Sequence, residues 1–430
     1  MPDTFGATSN DSQHVVVIGG GVIGAACAYY LSRAGVRVTI IERGQFGRGC
    51  SHGNCGYVSP SHVFPIAQPG VVAKSLKSML KKNSPFYIKP RLNWALWSWL
   101  FRFWRRCNPR DMLAAGHAIH DLLQASRKRY DDLMRDERLD CDWEARGLLF
   151  VLKSQEGFAH FAEKDREIRE EYGLAAVPYE GEKLNALEPA LLPGLAGGWL
   201  YECDAHLRSD KLMPELRRML TARGVTIREQ CDFRGFDNDS SRATAAGIRS
   251  ESSREEKLAA DFFVVATGAW TPLLNDALGC KIPIQPGKGY SMTMPRPKIC
   301  PKYPMLLEEH RVGVTPFASG YRLGSTMEFA GYDTTLNRTR LELLKAGAKH
   351  YLHEPYAEPV LEEWYGWRPM TYDSVPIIDF SPRYANVLVA AGHSMLGLSM
   401  ATGTGKLVAE LLLRQTPHVD PTPYSLRRFG

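Results

Sequence analysis

Near the start of the 430-residue chain, Gly19-Gly20-Gly21-Val22-Ile23-Gly24 forms a Gly-x-Gly-x-x-Gly run. Such a run has a chemical use where a strand ends and a helix begins. Gly19 then permits the tight turn, Gly21 lets a pyrophosphate approach the backbone, and Gly24 allows close packing of helix on strand. The free N–H groups and positive dipole of the helix N-terminus favour phosphates. Glu42 closes the next apolar run with Arg43 beside it, and its carboxylate suits ribose hydroxyls. The combination reads as a dinucleotide site. A plain Gly-rich turn between strand and helix is the bland alternative, and it leaves Glu42 unexplained.

The motif alone does not separate NAD from FAD. Its position at the extreme N-terminus favours FAD. So does the stretch Arg48-Gly49-Cys50-Ser51-His52-Gly53-Asn54-Cys55-Gly56, whose small and polar residues, Ser51, Asn54 and Gly56 among them, suit a path along pyrophosphate and flavin. A strand ending in Ala266-Thr267-Gly268 adds a further candidate turn. A late segment, Gly392-His393-Ser394-Met395-Leu396-Gly397, precedes Gly403-Thr404-Gly405 and a helix expected over about 404–413. The N-terminus of a helix there would face the pyrimidine edge of a flavin, where its dipole stabilises negative charge.

The elements that must hold these residues follow from hydropathy. A β-branched run at 14–19 reads as a buried strand, small apolar residues over 22–34 as a helix closed by Gly35, and 36–41 as a second buried strand. Strand–helix–strand implies a parallel sheet. Further along, 92–135 reads as helical with a break at Asn108-Pro109. A strand at 148–152, a helix to about 171, a helix at 210–223 and a strand at 225–227 follow. The polar stretch 237–257 fits a hairpin or loop excursion. A strand is expected at 261–267, alternating strands over 282–364 around a helix at 339–352, and a last strand at 387–391. No internal repeat is present. Strand-rich sections interrupt the nucleotide-binding core, so the expected fold is α/β, with a Rossmann-like FAD-binding domain interleaved with an antiparallel-sheet substrate domain.

Composition narrows the function. The net charge of +6, from 53 basic and 47 acidic residues, suits acidic small molecules or a lipid surface. It reads as too diffuse for a nucleic-acid partner. No apolar run reaches the length of a transmembrane helix, and the polar residues 1–10 read as a disordered tail rather than a signal peptide. Nine cysteines without a Cys-x-x-Cys pair argue against a disulfide framework or a metal site and for a cytoplasmic location. Trp94, Trp97, Leu100, Phe101 and Trp104 recur at helical spacing, with Arg102, Arg105 and Arg106 among them. This fits a helix packed on the substrate domain with its arginines in water. A helix resting at a membrane interface is the second reading.

Taken in order, several stretches resemble the glycine/D-amino-acid oxidase family of FAD-dependent oxidoreductases, on its D-amino-acid dehydrogenase small-subunit branch. They are the N-terminal fingerprint, residues 50–56 with Ser59-Pro60, the Trp-rich helix 93–106, Asp204-Ala205-His206 and 266–270. Lys288-Gly289-Tyr290-Ser291, 322–328, 366–371 with Asp373-Ser374-Val375-Pro376, and 392–405 complete the set. The resemblance implies FAD segments at 12–90, 205–283 and 366–430, with substrate-domain segments at 91–204 and 284–365. It implies that Arg368 binds a substrate carboxylate. Glycine-oxidase-like members carry a second arginine where this chain has Met395.

The expected chemistry is oxidative deamination of a D-amino acid, by hydride transfer from the α-carbon to flavin N5. Oxidation of a cyclic or N-methylated imino acid is the alternative; a non-catalytic flavin-binding subunit is an alternative of another class. A guanidinium fork matches a carboxylate, which makes Arg368 the choice for holding it. Its structural alternative is an arginine paired to an acid at a sheet edge. Tyr290 would hydrogen-bond the carboxylate or amine, or be a half-buried strand tyrosine. Lys288 is expected exposed, with a place near the flavin as the other reading. His52 and His393 are expected to shape loops. The resemblance offers a membrane quinone as electron acceptor, with the chain on the periphery of the inner membrane; the sequence sets no oligomeric state.

Overall fold

The computed structural model describes residues 13–72, 84, 86–89, 92–250 and 255–429. The expected N-terminal tail lies outside them. Two sheets organise the chain. The first has six strands in the order Ile377–Phe380, Val387–Ala391, Phe262–Val265, His14–Ile18, Arg37–Ile41, Thr226–Arg228. All pairings are parallel except that of the edge strand Ile377–Phe380.

Alternation along His14–Ile18 explains the layers. Val15 and Val17 pack with the helices Val22–Arg33, Pro109–Glu137 and Gly397–Leu412, while Val16 and Ile18 pack with Ala246 and Ile248 of a three-stranded antiparallel sheet. Both faces of the parallel sheet are thereby covered, which is why its strands are almost continuously apolar. The three-stranded sheet, Cys231–Asp239, Arg242–Ser250 and Glu255–Ala259, is the hairpin excursion expected at 237–257.

The second sheet runs Glu362–Thr371, Ile284–Met294, Gly320–Phe329, Val312–Phe317, Met305–Leu307, Leu148–Leu152, Gly197–Tyr201, Val177–Tyr179. Phe86–Ile88 also pairs with Gly320–Phe329. Most pairings are antiparallel. The edge strand Glu362–Thr371, hereafter the arginine strand, carries Arg368 across the expected segment boundary at 366.

Two helices differ from expectation. Pro109–Glu137 falls in the expected substrate segment 91–204 yet buries Ala118, Ile119, Leu122 and Leu123 in the core of the nucleotide-binding layer. The last helix begins at Gly397 rather than near Thr404. Gly403 and Gly405 lie inside it because neighbouring backbone is too close for a side chain. A Cβ on Gly405 would stand 2.5 Å from the Ala26 carbonyl, and one on Gly403 3.0 Å from the Leu122 oxygen. Among the described residues no helix is long and apolar enough to cross a membrane, and all nine cysteines are free.

Candidate active site

A cavity of about 1130 Å³ lies between the two sheets. Gly19, Gly21, Val22, Ile23, Glu42, Arg43, Ser51, Asn54, Gly268, Gly397, Tyr290 and Arg368 all border it. Gly20, Gly24, Gly56 and Gly392 stand behind its wall. Gly24, for example, packs directly on the Gly19 carbonyl.

At one end the walls fit a dinucleotide. Gly19 adopts φ +112°, and a Cβ on it would stand 2.5 Å from the Ala266 carbonyl oxygen, so the turn requires a residue without Cβ. Gly21 differs. A Cβ there would meet only Ser51 Oγ, at 3.5 Å, so the space in front of it is open for a ligand. Glu42 accepts hydrogen bonds from Gly20 N and Gly44 N, each at 2.8 Å, which fix its carboxylate at the cavity wall with lone pairs remaining. The Arg43 guanidinium stacks 4.1 Å from the Trp270 ring. Ser51 Oγ accepts from Val22 N and so ties the 50–56 loop to the first helix. No acid lies in the first turn of either Val22–Arg33 or Gly397–Leu412, leaving both N-termini suited to negative charge.

Two buried hydroxyls on the cavity wall, Ser59 and Ser394, have no hydrogen-bond partner among the described residues. Buried polar atoms are seldom left so, and a bound polar molecule would complete them. His393 is not free to move protons. Its Nε2 meets Thr404 Oγ1 at 2.9 Å, and burial lowers its pKa to about 3. These donors, the open space before Gly21 and the fixed Glu42 together suit FAD.

At the other end stands Arg368. Burial disfavours its charge, and the nearby thiols of Cys50 and Cys55 only partly oppose that effect. No carboxylate among the described residues pairs with it, so the expected structural alternative is not what the chain builds. Its Nη1 donates to Thr326 O at 2.8 Å and its Nη2 to Ser325 O at 3.4 Å. Both carbonyls come from a β-bulge. The register of Gly320–Phe329 against Ile284–Met294 slips between Lys288 and Tyr290, and Ser325 and Thr326 adopt φ +112° and +43°. Positive φ is costly for a β-branched threonine, and such strain concentrates at functional sites. On its other side the guanidinium lies flat over Gly289, where a Cβ would stand 2.5 Å from Cζ. Sequence reasoning missed these three residues as supports. Gly289 was the legible one, sitting in a strand whose neighbours are large.

Tyr290 and Lys288 face away. Pairing Gly289 with Gly366 and Gly287 with Arg368 puts the glycines and Arg368 on one face of the sheet, and Lys288, Tyr290, Tyr365 and Trp367 on the other. Tyr290 borders the cavity, but its hydroxyl donates to Glu328 Oε1 at 2.6 Å. Glu328 in turn meets Arg340 and Asn337. The expectation that Lys288 is exposed is corrected. It is fully buried, with its ammonium 4.4 Å from the Tyr365 ring and 3.9 Å from Asp333. His52 meets Glu362 at 2.8 Å and joins the 50–56 loop to the arginine strand. Trp364 lies over Gly53 and Gly366 at the same junction.

Residues 14–411 match the DAO family, FAD dependent oxidoreductase. A D-amino acid dehydrogenase of Granulibacter bethesdensis is 33% identical over 433 residues, covering 97% of this chain and 100% of the relative. A D-amino acid dehydrogenase of Methylobacterium radiotolerans is 31% identical over 434 residues, with 97% and 100% covered. Among solved structures, glycine oxidase from Geobacillus kaustophilus superposes with a TM-score of 0.75 at 21% identity, covering 96% of this chain and 99% of that one. L-proline dehydrogenase from P. horikoshii gives 0.71 at 19%, with 97% and 98% covered. At such identities the structures share the fold.

Proposed function

The chain belongs to the DAO family of FAD-dependent oxidoreductases, and from that premise we propose that it oxidises D-amino acids with Arg368 holding the substrate carboxylate. The overall reaction takes two electrons and two protons from the amino acid and leaves an imine. Water converts the imine to a 2-oxo acid and ammonia. FAD, when bound, supplies the two-electron acceptor.

The observation that carries the reading is a half-buried guanidinium that borders the cavity with no acid beside it among the described residues. A charge partly withdrawn from water and left unpaired is unfavourable. Here two backbone carbonyls hold the fork in place, and its remaining N–H groups are left for an anion entering the cavity. A carboxylate anchored there has its α-carbon fixed relative to the cavity wall, and fixed orientation supplies much of the rate of such reactions. The relatives' names, D-amino acid dehydrogenase, support the D configuration and an acceptor other than oxygen, for which we take a membrane quinone.

Anaerobic mixing of the purified yellow protein with D-amino acids, L-amino acids, proline, sarcosine and simple amines tests this. D-amino acids should bleach the flavin absorbance fastest. Bleaching by cyclic or N-methylated imino acids alone would replace the substrate class. A flavin that no amino or imino acid bleaches would make the chain a binding subunit.

A further inference from the structure

Two polar side chains on the cavity wall, His62 and Arg311, have no part in the site described above. Both are fixed from behind. Ser61 donates through its backbone N–H and its hydroxyl to the buried Asp204 carboxylate, at 3.0 and 2.6 Å, and Val63 is fully buried, so the half-buried His62 between them has a set position. Its ring makes no hydrogen bond among the described residues. Burial and the nearby Lys164 lower its pKa to about 4, so at neutral pH it is an uncharged imidazole with one N–H to give. Arg311 ends the turn 308–311 between the strands Met305–Leu307 and Val312–Phe317. Glu309 pins that turn by accepting from Lys153 N, Ser154 N and the Tyr351 hydroxyl, at 2.9, 3.0 and 2.7 Å.

The charges here are unequally placed. Glu308 is shared between Arg311, at 2.7 Å, and the Lys164 ammonium, at 4.0 Å, so two cations stand against one anion. Arg311 borders the cavity, whereas Glu308 and Lys164 stand behind its wall. The remaining N–H groups of Arg311 have no protein partner among the described residues. The cavity therefore meets a guanidinium and an imidazole N–H, which is a donor set for an anion.

The way from Arg368 to this end carries no competing charge. Gly324, Gly313 and Leu306 form a row across three adjacent strands. The two glycines make room for Cys55 and Tyr57. A Cβ on Gly324 would stand 2.5 Å from Cys55 Sγ, and one on Gly313 2.9 Å from the Tyr57 hydroxyl. That hydroxyl is spent on the Met305 and Val314 carbonyls. Arg368 is anchored on the first strand of the row and Leu306 lies on the third, about 10 Å away at the usual strand spacing. A chain of four C–C bonds spans about 5 Å, and a hydrogen bond of about 3 Å at each end fills that gap.

We propose that His62 and Arg311 form a second anion subsite, which receives the side-chain carboxylate of a D-amino acid of glutamate length while Arg368 holds the α-carboxylate. The assignment of the substrate rests on the D-amino acid reading given above. A neutral amide side chain brings no charge for Arg311, and an ammonium side chain is repelled.

Glutarate has both carboxylates and no amine to oxidise, so it tests the subsite without turnover. Titrated calorimetrically into the holoprotein, it should bind roughly tenfold more tightly than pentanoate. His62→Leu should remove most of that preference, and Arg311→Gln should cut it about threefold, the smaller effect of an exposed charge. The rate of anaerobic flavin bleaching by D-glutamate relative to D-glutamine should fall in the same order. Equal wild-type affinity for glutarate and pentanoate, or variants that weaken both alike, overturns the subsite. Failure of the substrate reading is a separate result: the glutarate preference holds while no D-amino acid bleaches the flavin, which keeps the anion subsite and removes D-glutamate from it.

Discussion

Gly289→Ala tests whether the placement of Arg368, beyond its presence, matters. Gly289 lies in an extended strand, so its backbone accepts alanine without strain. The new Cβ would nevertheless stand 2.5 Å from Arg368 Cζ and 2.6 Å from Nη2, where ordinary contact begins at 3.4 Å. The guanidinium must therefore move by about 3.4 − 2.5 ≈ 0.9 Å. That shift draws Nη1 from the Thr326 carbonyl, now 2.8 Å away. Misplacement by about 1 Å is worth on the order of 100-fold in rate, or about 2.7 kcal/mol. The expected result is a roughly 100-fold fall in kcat/KM for the best amino acid, with flavin content and Tm near wild type. Stopped-flow bleaching and dye-linked turnover measure it. A Gly289→Ala enzyme with full flavin and wild-type kcat/KM would refute the reasoning, because the guanidinium could not then be holding the substrate from its present position.

Two further outcomes concern cofactor and stability. Gly21→Val should fold, since the protein offers no clash nearer than Ser51 Oγ at 3.5 Å, yet purify colourless because the side chain fills the space before the first helix; a yellow variant contradicts the placement. Burial pushes the Asp204 carboxyl from 3.8 up to about 7, against the opposing hydrogen bonds from Ser61. A folded-state pKa above the unfolded one stabilises the protein below about 4, and that contribution is lost as pH rises to about 7. Asp204→Asn should therefore gain on wild type in urea midpoint across that window and run parallel above it; parallel curves throughout would show that Asp204 does not titrate as inferred.

The parts legible in the sequence are those set by local chemistry. The fingerprint from Gly19 to Gly24 works through neighbours in the chain, and the apolar strands Leu148–Leu152 and Val387–Ala391 announce themselves by composition. Other features depend on distant partners. Alternation says that Lys288 and Tyr290 share a face and Gly289 takes the opposite one. Which face meets the cavity is decided by pairing with Gly366 and Arg368, some eighty residues away. Gly403 and Gly405 looked like helix-starting residues because their use, close approach to two other helices, is tertiary. The bulge at Ser325 and Thr326 leaves no local signature, since neither residue type favours positive φ.

The central claim is that Arg368 binds the substrate carboxylate, and Arg368→Ala measures it most directly. The variant should keep its FAD and yellow spectrum. Losing one partner of a buried charge pair costs about 2–5 kcal/mol, so kcat/KM should fall by roughly one and a half to four decades. Arg368→Lys should recover part of this, because a point charge lacks the fork. Amines without a carboxylate should be poor wild-type substrates and lose little more in the variant. A flavin-replete Arg368→Ala enzyme with near-normal kcat/KM for its best amino acid would contradict the assignment.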